Sequence, residues 1–378
     1  MRKSGLYIHI PFCVKKCNYC DFYSLGCASA DKISKYIDAL CAQIERESEL
    51  YGDVAFDTVF LGGGTPSLLS VSDISRLFTT IRARLCVSSD AEITIEANPD
   101  TITKDRLVAW RECGINRLSI GLQSANDEML KVLGRIHSYE DFERGFKLAR
   151  NLGFDNISVD LMYALPNQDP SDLLKTLERV TSLCPEHISA YCLKIEPSTP
   201  FASMELELPD EDTQYEMYCT ICTYLSNLGY EQYEISNFAK NGHRCAHNLK
   251  YWLREDYVGL GPCAHSFFDG VRYSYEGDTS KYIAEISSGG VPDRLAEECN
   301  ELALDEKIDE YVMLRLRLCD GIDACEFERT FGVSLFQRYD LSQYIKGGYI
   351  ALSEGRVAFT PKGFFVSNYI LSSILEHI

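Results

Sequence analysis

No stretch of this 378-residue chain is apolar for long enough to cross a bilayer. Nor does its N-terminus carry a basic segment followed by a short hydrophobic one. The first absence excludes a helical membrane span and the second a secretory leader, so a cytosolic location is expected. Positive charge is in deficit: 37 Lys and Arg stand against 56 Asp and Glu, a formal net charge of −19. Nucleic acid and anionic membrane surfaces are repelled at long range by such a chain, and neither is expected as a partner. Internal repeats and low-complexity tracts are missing as well. What remains is the composition of a globular protein, with 46% hydrophobic and 25% charged residues, long enough for two or three domains.

Cysteine is plentiful, at sixteen residues. Most stand alone, as do Cys86, Cys184, Cys219 and Cys299, which is not the pattern of a disulfide framework. Reduced, buried thiols are expected there. Three break the rule. Cys13, Cys17 and Cys20 fall within eight residues, directly after the apolar run Leu6 to Ile10. Thiols at both fixed offsets after a given cysteine arise by chance with a probability on the order of 0.002. Three thiolates on a tight loop each take one iron of a 4Fe-4S cube and leave the fourth iron open. Zinc is the rival ion, with His9 or Cys27 as fourth ligand.

Up to about residue 195, short β-rich runs alternate with helical patterns. The runs are Leu6 to Ile10, Thr58 to Leu61, Glu92 to Glu96, Arg117 to Leu122, Ile157 to Met162 and Ile188 to Ile195. Between them lie amphipathic stretches such as 33–50, with Ile33, Ile37, Leu40, Cys41 and Ile44 at helical spacing. Six βα units predict a parallel sheet with right-handed crossovers, curled into a partial barrel. Glu96, Gln123 and Asp160, which close separate strands, are then expected at the C-terminal rim, where barrel sites form. Each alone reads equally well as a helix or loop cap.

Beyond Pro209 a helix is expected over 212–228, then strands over 230–235 and 251–260. A hairpin over 267–275 follows, with Asp269-Gly270 at its turn. A boundary is expected between Gly290 and Leu304. After it come helices over 307–318, 322–331 and 335–346, a two-stranded wing over 351–360 and a helix over 362–375. These outline three domains: 1–210, 211–292 and a winged-helix-like 293–378. The last has few clustered basic residues, which favours packing or partner docking over DNA.

Gly62-Gly63-Gly64-Thr65-Pro66-Ser67 follows the second strand. Its glycines let backbone approach a ligand with no Cβ in the way; the Gly-Lys-Ser/Thr of a P-loop is absent. Read without the cysteines, it is equally a tight strand-to-helix turn. The Cys-x3-Cys-x2-Cys loop in the first βα unit resembles that of the radical S-adenosylmethionine (SAM) superfamily. That resemblance implies an α/β partial (β/α)6 TIM-like barrel, a 4Fe-4S cluster on Cys13, Cys17 and Cys20, and SAM chelating the open iron, whose reductive cleavage can give a 5'-deoxyadenosyl radical. The glycine turn matches the one that contacts the methionine end of SAM.

Further stretches, Ile95-Glu96-Ala97-Asn98-Pro99, Ser119 to Ser124 and Ser158 to Met162, are similar to the oxygen-independent coproporphyrinogen III oxidases and their relatives. The likeness implies SAM contacts by Tyr7, Tyr19, Gly63, Gly64, Thr65, Glu96, Gln123, Arg135 and Asp160. Read alone, Arg135 is equally a surface salt-bridge residue. His247-Asn248-x-x-Tyr251-Trp252 matches the signature of the heme-chaperone branch, where the segment is associated with heme. Imidazole ligates heme iron, and Tyr251 and Trp252 offer flat apolar surface. His247 is the first choice of ligand; Cys245, His243 and His265 rank behind it. A histidine beside aromatics also reads as a hydrogen-bonded structural residue.

Two departures separate this chain from the decarboxylating enzymes. Only twelve residues precede Cys13, and Phe22 stands where those enzymes have another cysteine. Both point to a heme chaperone that passes heme to an acceptor protein, with the cluster serving stability, dimerisation or gating, and a homodimer as the assembly. No residue is singled out as catalytic. The alternatives are an oxygen-independent coproporphyrinogen III dehydrogenase, which removes two propionate carboxylates by radical chemistry, and a zinc-stabilised barrel without redox role. Gly261-Pro262-Cys263-Ala264-His265 departs from a stretch that is usually richer in glycine, which leaves the role of His265 open.

Overall fold

A computed structural model describes residues 1–290 and 302–375. Six strands alternate with helices: β1 (Arg2–Ile10), β2 (Val54–Gly63), β3 (Val87–Ala97), β4 (Arg117–Gln123), β5 (Ile157–Tyr163) and β6 (His187–Cys192). The helices between and after them are α1 (Ala30–Glu47), α2 (Val71–Arg84), α3 (Lys104–Glu112), α4 (Asp127–Val132), α5 (Tyr139–Asn151), α6 (Pro170–Thr181) and α7 (Glu211–Asn227). Each of these helices opens on a Ser, Thr, Asn or Asp side chain that accepts from an N–H of the first turn. Such caps satisfy donors that the helix itself leaves orphaned.

Strand residues alternate in chemistry, and the alternation fixes the layers. Leu6, Ile8 and Ile10, Val59 and Leu61, Ile93 and Ile95, and Leu118, Ile120 and Leu122 are buried in one continuous apolar core. The residues between them point the other way: Gly5, Tyr7 and His9; Thr58, Phe60 and Gly62; Glu92, Thr94 and Glu96; Arg117, Ser119 and Gly121; Ser158 and Asp160; His187 and Ser189. Because side chains change face at every residue, one register gives an apolar outside under the helices and a largely polar interior. The six strands pair in parallel in the order β1 to β6, with Tyr7 beside Phe60, Phe60 beside Thr94 and Thr94 beside Arg117.

Five more strands extend this sheet: β7 (Glu231–Gln232), β8 (Asn237–Ala239), β9 (Tyr257–Leu260), β10 (His265–Phe268) and β11 (Val271–Ser274). Among the described residues the order is β11-β10-β9-β1-β2-β3-β4-β5-β6-β8-β7, so the barrel stays open. The Asp269-Gly270 turn takes φ of 55° and 77°, as a tight hairpin demands. One expected strand is corrected. Residues 251–253 belong to helix α8 (Ala246–Leu253), and only Tyr257–Leu260 of that stretch is a strand. Tyr251, which reads as a β-former here, bonds His247 and packs edge-on against Tyr257, and this packing overrides its local preference. The expected strand over 230–235 shrinks likewise to β7.

After α9 (Thr279–Ser287), the expected boundary between Gly290 and Leu304 falls largely on 291–301, outside the described residues. The C-terminal part begins with α10 (Leu304–Arg315). Its wing has three strands rather than two, because Ile322–Asp323, expected as helix, pairs with Arg356–Phe359 alongside Ile350–Ser353. The other expected helices there are shorter or split, as at Leu335–Arg338 and Ser342–Lys346, and at Pro361–Phe365 and Ser367–Ile374.

Ile120 is fully buried on the outer face of β4. Ile120→Ala is expected to destabilise the chain by about 2–5 kcal/mol in urea unfolding, through lost transfer energy plus the cavity left behind.

Candidate functional site at the C-terminal mouth of the barrel

The polar interior opens at the C-terminal ends of the strands into a cavity of ≈ 350 Å³. Cys13, Cys17, Tyr19, Cys20, Gly63, Gly64, Thr65, Glu96, Gln123, Arg135 and Asp160 all line it. Residues 13 to 160 in sequence thus meet on one surface. Tyr7 does not reach it. Its hydroxyl bonds His9 Nδ1 at 3.0 Å, beside Phe60 and below the cavity. Asn98, Ser119, Met162, Tyr191, Lys15 and Lys16 also line the cavity and were not foreseen as site residues. Strand alternation holds the signal for Ser119 and Met162, which lie four positions before Gln123 and two after Asp160.

The cysteine loop is tied down from three sides. Asn18 donates from its backbone N–H to Leu133 O and from Nδ2 to Val132 O, both at 2.9 Å, so it caps the end of α4 from another segment. Its carbonyl accepts from Phe201 N–H at 3.0 Å. Tyr23 accepts at its hydroxyl from the N–H of Thr279, and its carbonyl receives His9 Nε2–H at 3.0 Å. Burial lowers the pKa of His9 to about 4, so the ring is neutral. Since a carbonyl can only accept, the proton is on Nε2 and Nδ1 accepts from Tyr7.

The glycine turn fits against this loop without slack. At Gly63, whose φ is +111°, an added Cβ would stand 2.5 Å from His9 Cε1. At Gly64 it would meet Phe12 O, Phe12 N and Ile10 O at 2.7, 2.8 and 2.9 Å, all backbone atoms that have nowhere to go. Thr65 Oγ1 lies 3.5 Å from Cys13 Sγ, and Arg135 Nη1 lies 3.6 Å from Cys17 Sγ. Arg135 also donates to Asn98 Oδ1 at 2.8 Å and to the Gly121 carbonyl. Gln123 ends β4 with φ of +71°, a left-handed conformation rare outside glycine that nothing in the sequence announces.

Two acids share the cavity floor. Burial, with Asp160 nearby as second cause, pushes the Glu96 carboxyl up to about 8. Burial also raises Asp160, against hydrogen bonds from Ser189 and Ser119 and the pull of Arg117. Glu96 therefore keeps its proton near neutrality and accepts from Gly63 N–H at 3.0 Å. A positive ligand group would draw that proton off.

The cavity fits a cluster and an amino-acid-bearing ligand. Three thiols line it together with glycine backbone, two carboxyls and the guanidinium of Arg135, which touches Cys17. Among the described residues, no three His, Cys, Asp or Glu side chains converge on a single-ion position.

His247, Asn248, Tyr251 and Trp252 lie elsewhere, on α8 at the opposite end of the barrel. His247 is fully buried. Nδ1 bonds Thr58 Oγ1 and Nε2 bonds Tyr251 Oη, each at 2.8 Å, and the ring stacks on Phe60 at 5.2 Å. Burial brings its pKa down to about 3. Glu92 accepts from the N–H groups of Ala246 and His247 at 3.1 and 3.0 Å and so caps the helix from the barrel wall. Cys245 is buried at the start of the helix, and His243 is half-buried before it. His265 is exposed at the start of β10.

Fold and site together define a radical SAM protein. The Radical SAM superfamily model matches residues 7–180, and the model of the HemN C-terminal domain matches 302–366. The structure resembles coproporphyrinogen III oxidase (HemN) from Escherichia coli with a TM-score of 0.87 and 26% identity, over 100% of this chain and 91% of that one. Heme chaperone HemW of Bacillus subtilis is 37% identical over 98% of this chain and 99% of its own length. Its Escherichia coli counterpart is 38% identical over 98% and 97%. The chain belongs to the HemW family. Among the described residues no helix is long and apolar enough to cross a membrane.

Gly64→Ala is expected to lower the iron bound per chain after anaerobic reconstitution, because the new Cβ meets backbone on the cysteine loop. Gly52→Ala, where the nearest atom is 3.7 Å away, serves as the control and should leave iron content unchanged.

Proposed function

We propose that this chain is a heme chaperone, which holds heme and passes it to an acceptor protein while carrying a 4Fe-4S cluster and SAM at the barrel mouth. Full-length likeness to proteins named for that role carries the reading. The His247 to Trp252 segment and Phe22, which is 71% exposed on the cluster loop where the enzymes place a further cysteine, support it. Cys13, Cys17 and Cys20 are assigned to three irons. When bound, the cluster offers an open iron for the amino and carboxylate groups of SAM. Arg135 is placed to pair with that carboxylate, and Glu96, Gln123 and Asp160 to hold ammonium and ribose hydroxyls. A cytosolic location, a homodimer and divisions near 210 and 292 belong to the same proposal.

The test is anaerobic reconstitution followed by heme titration and mixing with an apo-acceptor. A bound-heme Soret band and its transfer without SAM consumption are expected. Absence of any Soret band overturns the reading. The likeness to HemN favours one other reading, oxidative decarboxylation of coproporphyrinogen III. Protoporphyrinogen formed with SAM and a reductant would establish that activity instead.

SAM binding is expected to release a proton. The carboxyl of Glu96, pushed up to about 8 by burial, must ionise to pair with the ammonium group. The sign follows: affinity rises with pH up to about 8, by at most roughly ten-fold per pH unit, and levels off above. Calorimetry in buffers of different ionisation enthalpy reads the proton directly. Glu96→Gln should abolish both the proton release and the pH slope.

A further inference from the structure

His247 cannot meet an iron atom where it stands. Its ring has no exposed surface, and both nitrogens are engaged. It lies close against β1 at Gly5, where an added Cβ would stand 3.1 Å from His247 Cε1. The two hydrogen bonds are unequal in kind. Tyr251 sits one turn along the same helix and would travel with His247 in any movement of α8. Thr58 belongs to the barrel wall and would not.

The surroundings make such a movement affordable. The base of the barrel is lined by Thr58, Glu92, Arg117, Ser158 and His187 rather than by aliphatic side chains. Arg117 Nε and Thr94 Oγ1 are buried without a hydrogen-bond partner. Water entering behind a withdrawn helix would find donors and acceptors around the Tyr7 and Phe60 rings. The helix is also hung unevenly. On its C-terminal side Arg254, with φ of +58°, is pinned by an ion pair with Glu310 and by the Phe267 ring. On its N-terminal side the chain passes Gly242, with φ of +82° and nothing within 4 Å of a Cβ position. Between them, the helix is held by Glu92 at its N-terminus, by Tyr233 Oη accepting from Cys245 N–H at 3.2 Å, by Thr58 on the imidazole, by the ion pair of the buried Lys250 with Asp57 of β2 at 2.8 Å, and by the stacking of His247 on Phe60.

We propose that α8 is a latched plug. It swings about Arg254 out of the barrel base, breaks the Thr58 bond and presents His247, still steadied by Tyr251, to a planar iron tetrapyrrole. Heme uptake is thereby gated at the end of the barrel remote from the SAM cavity. This inference rests on the heme-chaperone reading.

The test uses the full chain with its cluster reconstituted. Hemin association is followed by stopped-flow at the Soret band, and amide hydrogen exchange is read over residues 243–255. For wild type, the observed rate should level off with hemin concentration at the opening rate of the plug. Thr58→Val removes one latch bond and should raise that plateau and the exchange of 245–253 by roughly two- to ten-fold. Thr58→Ser keeps the bond and should restore wild-type values, which separates latching from a general loss of fold. His247→Ala should lose the imidazole-ligated spectrum. If hemin binds but the rate rises linearly without plateau, Thr58→Val matches wild type and His247→Ala keeps the same spectrum, the plug proposal is overturned while the chaperone reading stands. Failure of wild type to bind any hemin overturns that reading, and the gate for heme with it. In that case unchanged exchange in Thr58→Val shows further that α8 is a fixed part of the barrel.

Discussion

Everything in this molecule follows from a polar surface wrapped inside an apolar one. Six parallel strands turn aliphatic residues outward to the helices and Thr, Ser, Asp, Glu, Arg and His inward. A small barrel normally closes on its own packed side chains. This interior cannot do so, since unpaired buried polar groups each cost on the order of 1–3 kcal/mol. Both ends therefore recruit partners from outside the six strands. At one end a cysteine loop, a glycine turn and Arg135 meet the carboxyls of Glu96 and Asp160. At the other, a short helix brings an imidazole and a phenol to Thr58 and its own backbone N–H groups to Glu92.

The two ends share a floor. Tyr7 and Phe60 lie between the cavity and His247, with ring centroids 6.3 Å apart from each other and 6.5 and 5.2 Å from the imidazole. Any displacement of either ring alters the packing seen from both sides. The segment proposed to meet heme and the cavity proposed for SAM are thus neighbours across one aromatic layer.

Much of this was legible in the sequence. The six βα units, the rim positions of Glu96, Gln123 and Asp160, and the Asp269-Gly270 turn follow from periods of two and 3.6 and from turn chemistry, which are local properties. Less legible was whatever depends on three dimensions. The sequence around Tyr251 and Trp252 has the composition of a strand, and only the polar hollow that receives it explains why it is helical. Nothing local marks Asn18 as the cap of a helix more than a hundred residues away. Tyr7, grouped with the SAM contacts by motif, faces the same interior but one layer too deep to line the cavity. His247 was legible as special, yet not as sealed.

Arg135 carries one more implication. Its guanidinium lies 3.6 Å from the Cys17 sulfur, and the protein around it keeps it charged. An iron-sulfur centre gains negative charge when it is reduced, and its potential shifts with neighbouring charge and hydrogen bonds. A fixed cation beside Cys17, in a chain whose overall charge is −19, would make an added electron easier for a cluster held there to accept than the global charge alone would allow. Were a cluster held on Cys17, Arg135 would ease its reduction.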